Sequence, residues 1–416
     1  MTDSHVVVVG AGIFGLATAM ELSDRGYGVT IIESSVVPNP LAASTDISKV
    51  VRMEYGADAQ YTELAEEARL GWIAWNEEWM AGGLDPLYHE TGVLMCCMRP
   101  MAAGGFENDS FEVLQQRGHK PLRLDAEALR SRFPAWRTGR YVDGFYHSLG
   151  GYVESGRVLT RLVDKLRARR LVEVIENVGV TDLAGKPDRV NGVILEDGRE
   201  IPGDHVVLAA GAWTSKLYPE LKNEIRSTGH PVFHLEPATP KLFEQDLFPT
   251  FTADVARTGF YGFPLNADGV VKIGVHGVGV SVDADAPRSV SSNAKSSLVQ
   301  FLNITFPDLL SSKLVLTRLC LYADTPGEDF LIDTHPTRRG ITVASGGSGH
   351  AFKFGPVLGS LVADAVEGKP PRFGRKFSWI RFWDTPDGEW GSEAARCRDS
   401  SSSRMKDEGS RMKDEG

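Results

Sequence analysis

The sequence predicts an α/β fold (an α+β composite) in which a discontinuous nucleotide-binding domain is interleaved with a β-rich second domain. The chain begins with an apolar, β-branched run at 5–9, followed by a glycine-rich turn, a segment of helical spacing and a second apolar run. A strand, a glycine-rich turn and a helix are predicted again at 338–368, and a buried strand is predicted at 206–209. Residues 228–280 are rich in predicted strands. The parts of the nucleotide-binding domain therefore lie at both ends and in the middle of the chain.

The remaining elements follow in order along the chain. Their patterns predict helices within 61–79, 109–118, 125–133 and 154–170, a strand at 91–98, a hairpin that turns at Asp197-Gly198 and a second hairpin at 259–277. From this order we assign 1–85, 150–222 and 320–372 to the nucleotide-binding domain, and 86–149 and 223–319 to the second domain. Residues 391–416 contain SRMKDEG twice and are predicted to be a disordered tail.

Composition limits the classes of function. The formal net charge of −10 is spread along the chain without a basic stripe, so nucleic acid is not expected as a partner. The four cysteines, Cys96, Cys97, Cys320 and Cys397, have no regular spacing, which argues against a disulfide framework and a metal site. The residues before the first strand do not have the basic start of a signal peptide, and no later run approaches about eighteen apolar residues. We therefore expect a soluble cytoplasmic protein that does not interact with membranes.

A glycine motif between the first strand and the first helix predicts a Rossmann-like dinucleotide-binding domain. In VVVVGAGIFG, the glycines of G-x-G-x-x-G are Gly10, Gly12 and Gly15. Gly10 suits the tight turn, Gly12 lets the backbone approach the pyrophosphate, and Gly15 lets the helix pack close to the sheet. The amides of the first helical turn would hold the diphosphate. Glu33, at the end of the next strand, is expected to bind the adenosine ribose, which favours FAD or NAD over NADP.

Two further glycine-rich segments favour FAD. VVLAAGAWTS (206–215) combines a buried strand with a turn of small residues, which would let the backbone lie close to a flat ligand; alone, it is equally a strand with a tight exit. SGGSGHAFKFG (345–355) supplies a second strand-to-helix turn. Two helix N-termini in one domain suit a long flavin dinucleotide, with one at the pyrophosphate and the other at the pyrimidine edge of the flavin.

Six segments together resemble a known family of flavoenzymes. They are the N-terminal fingerprint, DISKVVRMEYG (46–56), VVLAAGAW, GVVKIGVHG, LCLYADTPGEDFLID and SGGSGHAFKFG. Their order is similar to that of the D-amino-acid-oxidase-like FAD-dependent oxidoreductases. They resemble most closely the branch of monomeric sarcosine oxidase, pipecolate oxidase and fructosyl amino acid oxidase, over about residues 5–370. The resemblance implies a Rossmann-like FAD-binding domain with an interleaved β-rich substrate domain.

The resemblance also implies that the FAD is bound covalently through Cys320. This cysteine lies in RLCLYADTP, where the family forms a thioether to the flavin 8α carbon. Without the resemblance, a buried structural cysteine would be the better interpretation. Cys96 and Cys97 have no such context, and we interpret them as packing residues.

The segment VVKIGVHG predicts a cavity wall without reference to a family. Side chains alternate along a strand, so Lys272, Gly274 and His276 share one face. A buried face with a cation, a gap and an imidazole is a cavity wall, and the alternative is an exposed edge strand. By resemblance, Lys272 lies over the flavin and activates oxygen through its charge, and His276 shapes the substrate pocket.

A binding site for the substrate carboxylate is also implied by the resemblance. Arg52 would bind both carboxylate oxygens, with Lys353 as its partner. His350 and Lys353 lie three residues apart and are expected on one face at the start of the last helix. Tyr261 and Tyr322 are implied at the wall of the substrate pocket. The other residues implied at the cofactor are Ile13, Phe14, Ser44, Lys49, Gly211, Gly347, Gly349 and Lys353.

These features predict an FAD-dependent oxidase of the C–N bond of a secondary-amine amino acid, such as sarcosine, pipecolate or another N-alkyl amino acid. Hydride transfer to the flavin and reoxidation by O2 would give an imine, then an aldehyde or keto product, and H2O2. The expected partners are the small amino acid and O2, and the expected state is a monomer.

Several alternatives stay open. The nearest are a fructosyl amino acid oxidase and a saccharopine-type oxidase. His276 stands where the fructosyl branch typically has a glutamate, which argues against a sugar-bearing substrate. A dehydrogenase that passes electrons to a quinone or carrier protein, a non-enzymatic flavoprotein and an NAD-dependent dehydrogenase are further alternatives.

Overall fold

The computed structural model describes residues 4–136 and 139–379, and in these residues it contains nine α-helices and 21 strands. The helices are α1 (Ile13–Asp24), α2 (Ala59–Ala81), α3 (Phe106–Gln116), α4 (Ala126–Arg132), α5 (Ser155–Arg167), α6 (Thr214–Leu217), α7 (Val255–Thr258), α8 (Ser292–Thr305) and α9 (Gly355–Val366). The strands are β1 (His5–Val9), β2 (Gly28–Ile32), β3 (Lys49–Val51), β4 (Tyr88–His89), β5 (Val93–Cys97), β6 (Leu122–Arg123), β7 (Asp143–His147), β8 (Gly151–Val153), β9 (Val172–Ile175), β10 (Val180–Lys186), β11 (Arg189–Leu195), β12 (Glu200–Pro202), β13 (His205–Leu208), β14 (Arg226–Glu236), β15 (Thr250–Ala253), β16 (Phe260–Phe263), β17 (Val271–Val275), β18 (Val280–Ser281), β19 (Lys313–Asp324), β20 (Leu331–Thr334) and β21 (Ile341–Ser345).

A six-stranded sheet contains the first two predicted strands. Its order is β20-β21-β13-β1-β2-β9, and every neighbouring pair is parallel except β20-β21. The strand β1, HVVVV, lies inside the sheet, and residues 6–9 are buried. Strands of a parallel sheet are covered on both faces, which explains this continuous apolar run. Helix α1 connects β1 to β2, so the predicted βαβ unit and the α/β class are confirmed.

A nine-stranded sheet contains most strands of the β-rich region. It is antiparallel except for the pair β5-β15, and its longest pair is β14-β19. The predicted hairpin at 259–277 is the antiparallel pair β16-β17. The hairpin predicted to turn at Asp197-Gly198 is β11-β12, in a separate three-stranded sheet.

The predicted alternation along β17 is confirmed. Val271 and Ile273 pack in an apolar core, whereas Lys272 lies on the opposite face, and Gly274 of that face is paired with Val232 and Tyr261 of the neighbouring strands. Residues paired across antiparallel strands project from the same face. We call this face the polar face of the nine-stranded sheet, and its functional candidates are His230, His234, Tyr261, Lys272, His276, Cys320 and Tyr322.

The domain boundaries stay a prediction. The strands of the six-stranded sheet lie within 5–32, 172–208 and 331–345, and those of the nine-stranded sheet within 93–147 and 226–324. The tail predicted at 391–416 lies outside the described residues. Across the described ranges, no helix is both long enough and apolar enough to cross a membrane.

Candidate active site

A cavity of about 520 Å³ lies at the carboxyl ends of β1, β2, β13 and β21, where open parallel sheets commonly bind their ligands. We call it the cofactor cavity. Of the predicted cofactor residues, it is lined by Gly10, Gly12, Ile13, Phe14, Glu33, Ser44, Lys49, Gly211, Gly347 and Gly349. Gly15, Cys320 and Lys353 are not among the described residues that line it.

Two glycines of the motif are required by close backbone contacts. Gly10 has a φ of +104°, and a Cβ atom there would lie 2.5 Å from the Ala209 carbonyl oxygen. A Cβ atom on Gly15 would lie 1.8 Å from the Gly10 carbonyl oxygen. The turn and the helix therefore pack at a separation that admits only glycine.

Gly15→Ala is expected to lower both the melting temperature and the FAD content of the purified protein. The methyl group has no space, so α1 must shift away from the β1 turn, at a cost of about 1–3 kcal/mol or more. Thermal unfolding and flavin absorbance per protein check this. Gly82→Ala is the matched control, because its Cβ would lie 3.4 Å from the nearest atom. A Gly15→Ala protein with normal melting and FAD content would contradict the assigned packing.

Glu33 is held in a fixed position at one end of the cofactor cavity. The Ala11 amide donates to its Oε2 atom at 3.0 Å, and the Asn39 side-chain amide donates to its Oε1 atom at 2.9 Å. The Ile13 amide donates to the Ser44 hydroxyl at 3.1 Å, which ties the 39–46 loop to the start of α1. A carboxylate fixed in this way suits a ribose hydroxyl.

A second, smaller cavity of about 50 Å³ adjoins the other end, and we call it the substrate cavity. The two cavities share the lining residues Lys49, Tyr322, Gly349 and Phe352. The predicted catalytic residues that line it are Arg52, Tyr261, His276, Tyr322, His350 and Lys353. A ligand in the cofactor cavity would therefore face the side chains implied in catalysis.

Tyr55 joins the two cations predicted to bind a carboxylate. The Lys353 ammonium donates to the Tyr55 hydroxyl at 2.7 Å, and the Arg52 guanidinium carbon lies 5.0 Å from the centre of the Tyr55 ring. Arg52 is 3% and Lys353 2% exposed. Two buried cations at a cavity wall favour an anionic ligand, because an anion offsets charge that burial has removed from water.

The predicted helical position of His350 and Lys353 is corrected by the structure. Residues Ala351–Phe354 form a 3-10 helix, and α9 begins only at Gly355. Pro356 follows at the first turn of α9, a position that proline favours because its missing N–H needs no partner there. His350 and Lys353 both still contact Tyr55, since residues three apart are eclipsed in a 3-10 helix.

The His350 ring is oriented by two hydrogen bonds. Its Nε2 atom lies 2.9 Å from the Glu328 carbonyl oxygen, which can only accept, so Nε2 carries the proton. In the neutral ring, Nδ1 then accepts from the Tyr55 hydroxyl at 3.0 Å. Helix α2 supports the same turn, because the Trp72 indole donates to the Lys353 carbonyl oxygen at 2.6 Å.

Three side chains of the polar face, Tyr261, His276 and Tyr322, also line the substrate cavity. Tyr322 stacks on His230, with ring centres 3.9 Å apart, and its ring centre lies 6.0 Å from that of His276. A Cβ atom on Gly274 would lie 2.5 Å from the Tyr261 ring, so Tyr261 fills the predicted gap. Burial raises the pKa of both tyrosines, which keeps these hydroxyls protonated and able to donate.

Cys320 lies behind the wall of the cofactor cavity. It is fully buried in β19 and packs against Ala43, Val232 and Tyr322. Ala43 and Tyr322 line the cavity. The thiol is therefore one side chain away from the cavity, on the same face as Tyr322.

Lys272 is buried and is bound by the loop before β3. Its ammonium lies 2.7 Å from the Asp46 carboxylate and donates to the Ser48 carbonyl oxygen. In the described residues, Lys272 is not among those that line either cavity. Burial lowers the pKa of Lys272 to about 8, and the Asp46 carboxylate opposes that effect.

Three residues of this site were not predicted from the sequence: Asp46, Tyr55 and His230. Asp46 and Tyr55 lie in DISKVVRMEYG, where only Lys49 and Arg52 were singled out. His230 and His234 lie four residues apart in HPVFH, and the strand period of two would place them on one face. That signal could have identified a second polar strand at the site.

The residues present fit FAD. The cofactor cavity extends from Glu33 to the residues shared with the substrate cavity, and glycines at 10, 12, 211, 347 and 349 line it. A Cβ atom on Gly349 would lie 2.2 Å from the Tyr322 ring. The backbone can therefore approach a long, flat ligand along the whole cavity, with a ribose-binding carboxylate at one end.

Comparison with known proteins supports the same cofactor. The chain matches the family model DAO, FAD dependent oxidoreductase, over residues 5–365. It is 30% identical over 405 residues to L-saccharopine oxidase from Schizosaccharomyces pombe, covering 87% of this chain and 90% of that protein. It is 26% identical over 374 residues to monomeric sarcosine oxidase from a Bacillus species, covering 88% and 93%.

A solved structure agrees in fold over nearly the whole chain. The structure of fructosyl amine:oxygen oxidoreductase (Amadoriase I) from Aspergillus fumigatus superimposes with a TM-score of 0.77 at 25% identity, covering 92% of this chain and 91% of that chain. The fold class and family predicted from the motifs are thereby confirmed. The chain belongs to the DAO family of FAD-dependent oxidoreductases.

Proposed function

We propose that the protein is an FAD-dependent oxidase of the C–N bond of a secondary-amine amino acid. The observation that carries this proposal is the pair of buried cations, Arg52 and Lys353, held on Tyr55 in a cavity that adjoins the cofactor cavity. The pair suits a carboxylate, and the shared wall places the rest of a bound amino acid toward the cofactor.

The residues of the substrate cavity bind and orient the substrate. Arg52 and Lys353 hold the carboxylate, and the Tyr55 hydroxyl fixes the Lys353 ammonium. Tyr261, His276 and Tyr322 also line this cavity and limit the rotation of the substrate. The positive field of the two cations favours the neutral form of the amine, whose lone pair assists loss of the adjacent hydride.

FAD, held by the residues of the cofactor cavity, would supply the redox chemistry: a hydride acceptor for the carbon beside the amine and a two-electron donor to O2, with an imine and H2O2 as the products. Lys272 contributes a positive charge beside this reaction, which stabilises the negative charge that oxygen acquires.

The substrate identity is tested by H2O2 release from a panel of amines. Sarcosine, pipecolate, N-methyl amino acids, saccharopine and fructosyl-valine all carry a carboxylate and a secondary amine. They differ in the group attached to the amine nitrogen and in the side chain. The proposal requires turnover of at least one of them with stoichiometric H2O2. Holoenzyme that stays oxidised with every secondary amino acid under anaerobic conditions would contradict it.

The structure supports a covalent link between the flavin and Cys320 as a further part of the proposal. The thiol is buried one side chain behind the cofactor cavity, beside Tyr322. After acid denaturation of the wild-type protein, we expect the flavin to stay on the chain, with the mass increase of one FAD. Cys320→Ala is expected to release the flavin. Cys97→Ala, at another buried cysteine, is the control and should retain it; free flavin from the wild-type protein would contradict the link.

We also propose that the protein acts as a cytoplasmic monomer. Multi-angle light scattering of the purified holoenzyme checks the monomeric state. Localisation of a tagged chain in its source cells checks the compartment.

A further inference from the structure

A buried carboxylate lies at the centre of a cluster of cationic and imidazole groups behind the cavities. The Asp46 side chain is 1% exposed, and its Oδ2 atom lies 2.7 Å from the Lys272 ammonium and 3.7 Å from the Lys49 ammonium. Its Oδ1 atom lies 3.3 Å from Nε2 of His234. Lys49 lines both cavities, so the cluster reaches from the polar face to the junction of the two cavities.

The fold alone does not require this ion pair. Moving two charges out of water costs several kcal/mol per ion, and a well-packed apolar pair of similar volume is commonly as stable. The Lys272 ammonium is also constrained by its position, because it is held by Asp46 and the Ser48 carbonyl oxygen and lies 4.8 Å from the centre of the Phe263 ring. The Lys272 ammonium is thus held in one position, in a cluster that reaches the junction of the two cavities through Lys49. A buried charge held in this way indicates a role in the reaction.

We propose that Asp46 is a positioning residue for the oxidative half-reaction: its carboxylate holds the Lys272 ammonium in place, so that this charge assists the reduction of oxygen. The inference rests on the proposed function and adds a residue to it. In that half-reaction, O2 takes up two electrons and two protons, in total, from the reduced flavin and solvent, and leaves as H2O2. Asp46 forms no bond to oxygen and transfers no electrons.

The charges around Lys272 give this role a pH dependence. Burial lowers the pKa of Lys272 to about 8, against the opposing effect of Asp46. Burial alone would raise the pKa of Asp46, yet Lys272, His234, Lys49 and Arg318 together hold it well below its usual range. Cys320 also lies close to Lys272, and the proposed thioether to the flavin would leave its sulfur uncharged. Asp46 is therefore ionised throughout the neutral range, whereas Lys272 loses its charge as the pH rises through about 8.

The test uses Asp46→Asn holoenzyme and does not need a substrate. The bound flavin is reduced with dithionite under anaerobic conditions, and its reoxidation by O2 is followed by stopped-flow absorbance between pH 6 and pH 9. Loss of the carboxylate removes the group that favours the Lys272 ammonium, so the pH at which reoxidation declines should fall by one unit or more, as expected for the loss of a buried ion pair. For a shift of one unit, the rate at pH 8 should be about fivefold lower than in the wild type, and at pH 6 within about twofold.

Three further experiments separate positioning from a general loss of structure. The visible spectrum of the oxidised flavin, titrated from pH 6 to pH 9, should show the same downward shift of its midpoint. Asp46→Glu keeps the charge and should restore both midpoints. In a Lys272→Gln background, Asp46→Asn should have no further effect on reoxidation, because the group through which it acts is gone.

Different results would overturn the role of Asp46 and the proposed function. Asp46→Asn reoxidation with the wild-type rate and the wild-type pH midpoint, or an effect of Asp46→Asn that persists in the Lys272→Gln background, would overturn the role of Asp46. A wild-type flavin that reacts with oxygen but is reduced by no secondary amino acid would overturn the proposed function and leave the role of Asp46 in oxygen reduction standing.

Discussion

Arg52→Gln is expected to lower kcat/KM for a secondary amino acid by about 10²- to 10³-fold, mainly through KM. Removing one partner of a buried, charge-paired contact typically costs about 3–4 kcal/mol. Arg52 is 3% exposed at the wall of the substrate cavity, beside Tyr55. Glutamine keeps a hydrogen-bond donor there but removes the charge and the fork geometry that binds both carboxylate oxygens.

A substrate analogue separates binding of the carboxylate from a general loss of structure. An N-alkyl amine without the carboxylate should be a poor substrate for the wild type, and Arg52→Gln should not slow it further. Arg199→Gln is the control, because Arg199 lies on an exposed hairpin and pairs with Asp197. Equal losses for the amino acid and for the amine would show that Arg52 does not bind the carboxylate.

The sequence predicted the turn between β1 and α1 well because local rules determine it. The turn after the strand needs a positive φ, and the helix packs directly against that turn. Both conditions require glycine, so the glycines occur at a fixed spacing. The contacts at Gly10 and Gly15 are those that the motif requires. The alternation along β17 is equally local, and it separated Lys272 from the apolar core residue Ile273 before any partner strand was known.

Contacts between side chains that are far apart in the sequence could not be predicted from local patterns. The contact between Asp46 and Lys272 joins a loop to a strand more than two hundred residues later, and neither segment carries a signal for the other. The same holds for Tyr55 and Lys353. The start of α9 was predicted too early for a different reason: residues 351–354 have helical spacing, but they form a 3-10 helix before the proline-containing first turn.

The side chains proposed to bind the substrate and the side chain proposed to act on oxygen occupy different positions. Arg52 and Lys353 line the substrate cavity, whereas Lys272 is buried behind it with Asp46. Changes at the first two side chains should therefore alter the reduction of the flavin by substrate. Changes at Lys272 should alter its reoxidation.

Lys272→Gln is accordingly expected to slow reoxidation of the reduced flavin by about 10²-fold or more, which is typical for removal of one preorganised group that stabilises developing charge. Glutamine keeps a donor for Asp46 and Ser48 but carries no charge. Anaerobic reduction by substrate should change by less than about twofold, since Lys272 is not among the described residues that line the substrate cavity.

The pH dependence of the reoxidation rate is a second measurement of the role of Lys272. The pKa of Lys272 is about 8, so its ammonium is present below that pH and is lost above it. Wild-type reoxidation should therefore fall as the pH rises through about 8, and Lys272→Gln should be slow at every pH. Lys313→Gln is the matched control, because the Lys313 side chain is 75% exposed, pairs with Glu236 and is not among the described residues that line either cavity. If Lys272→Gln reoxidises at the wild-type rate at pH 7, the charge of Lys272 does not assist the reaction with oxygen.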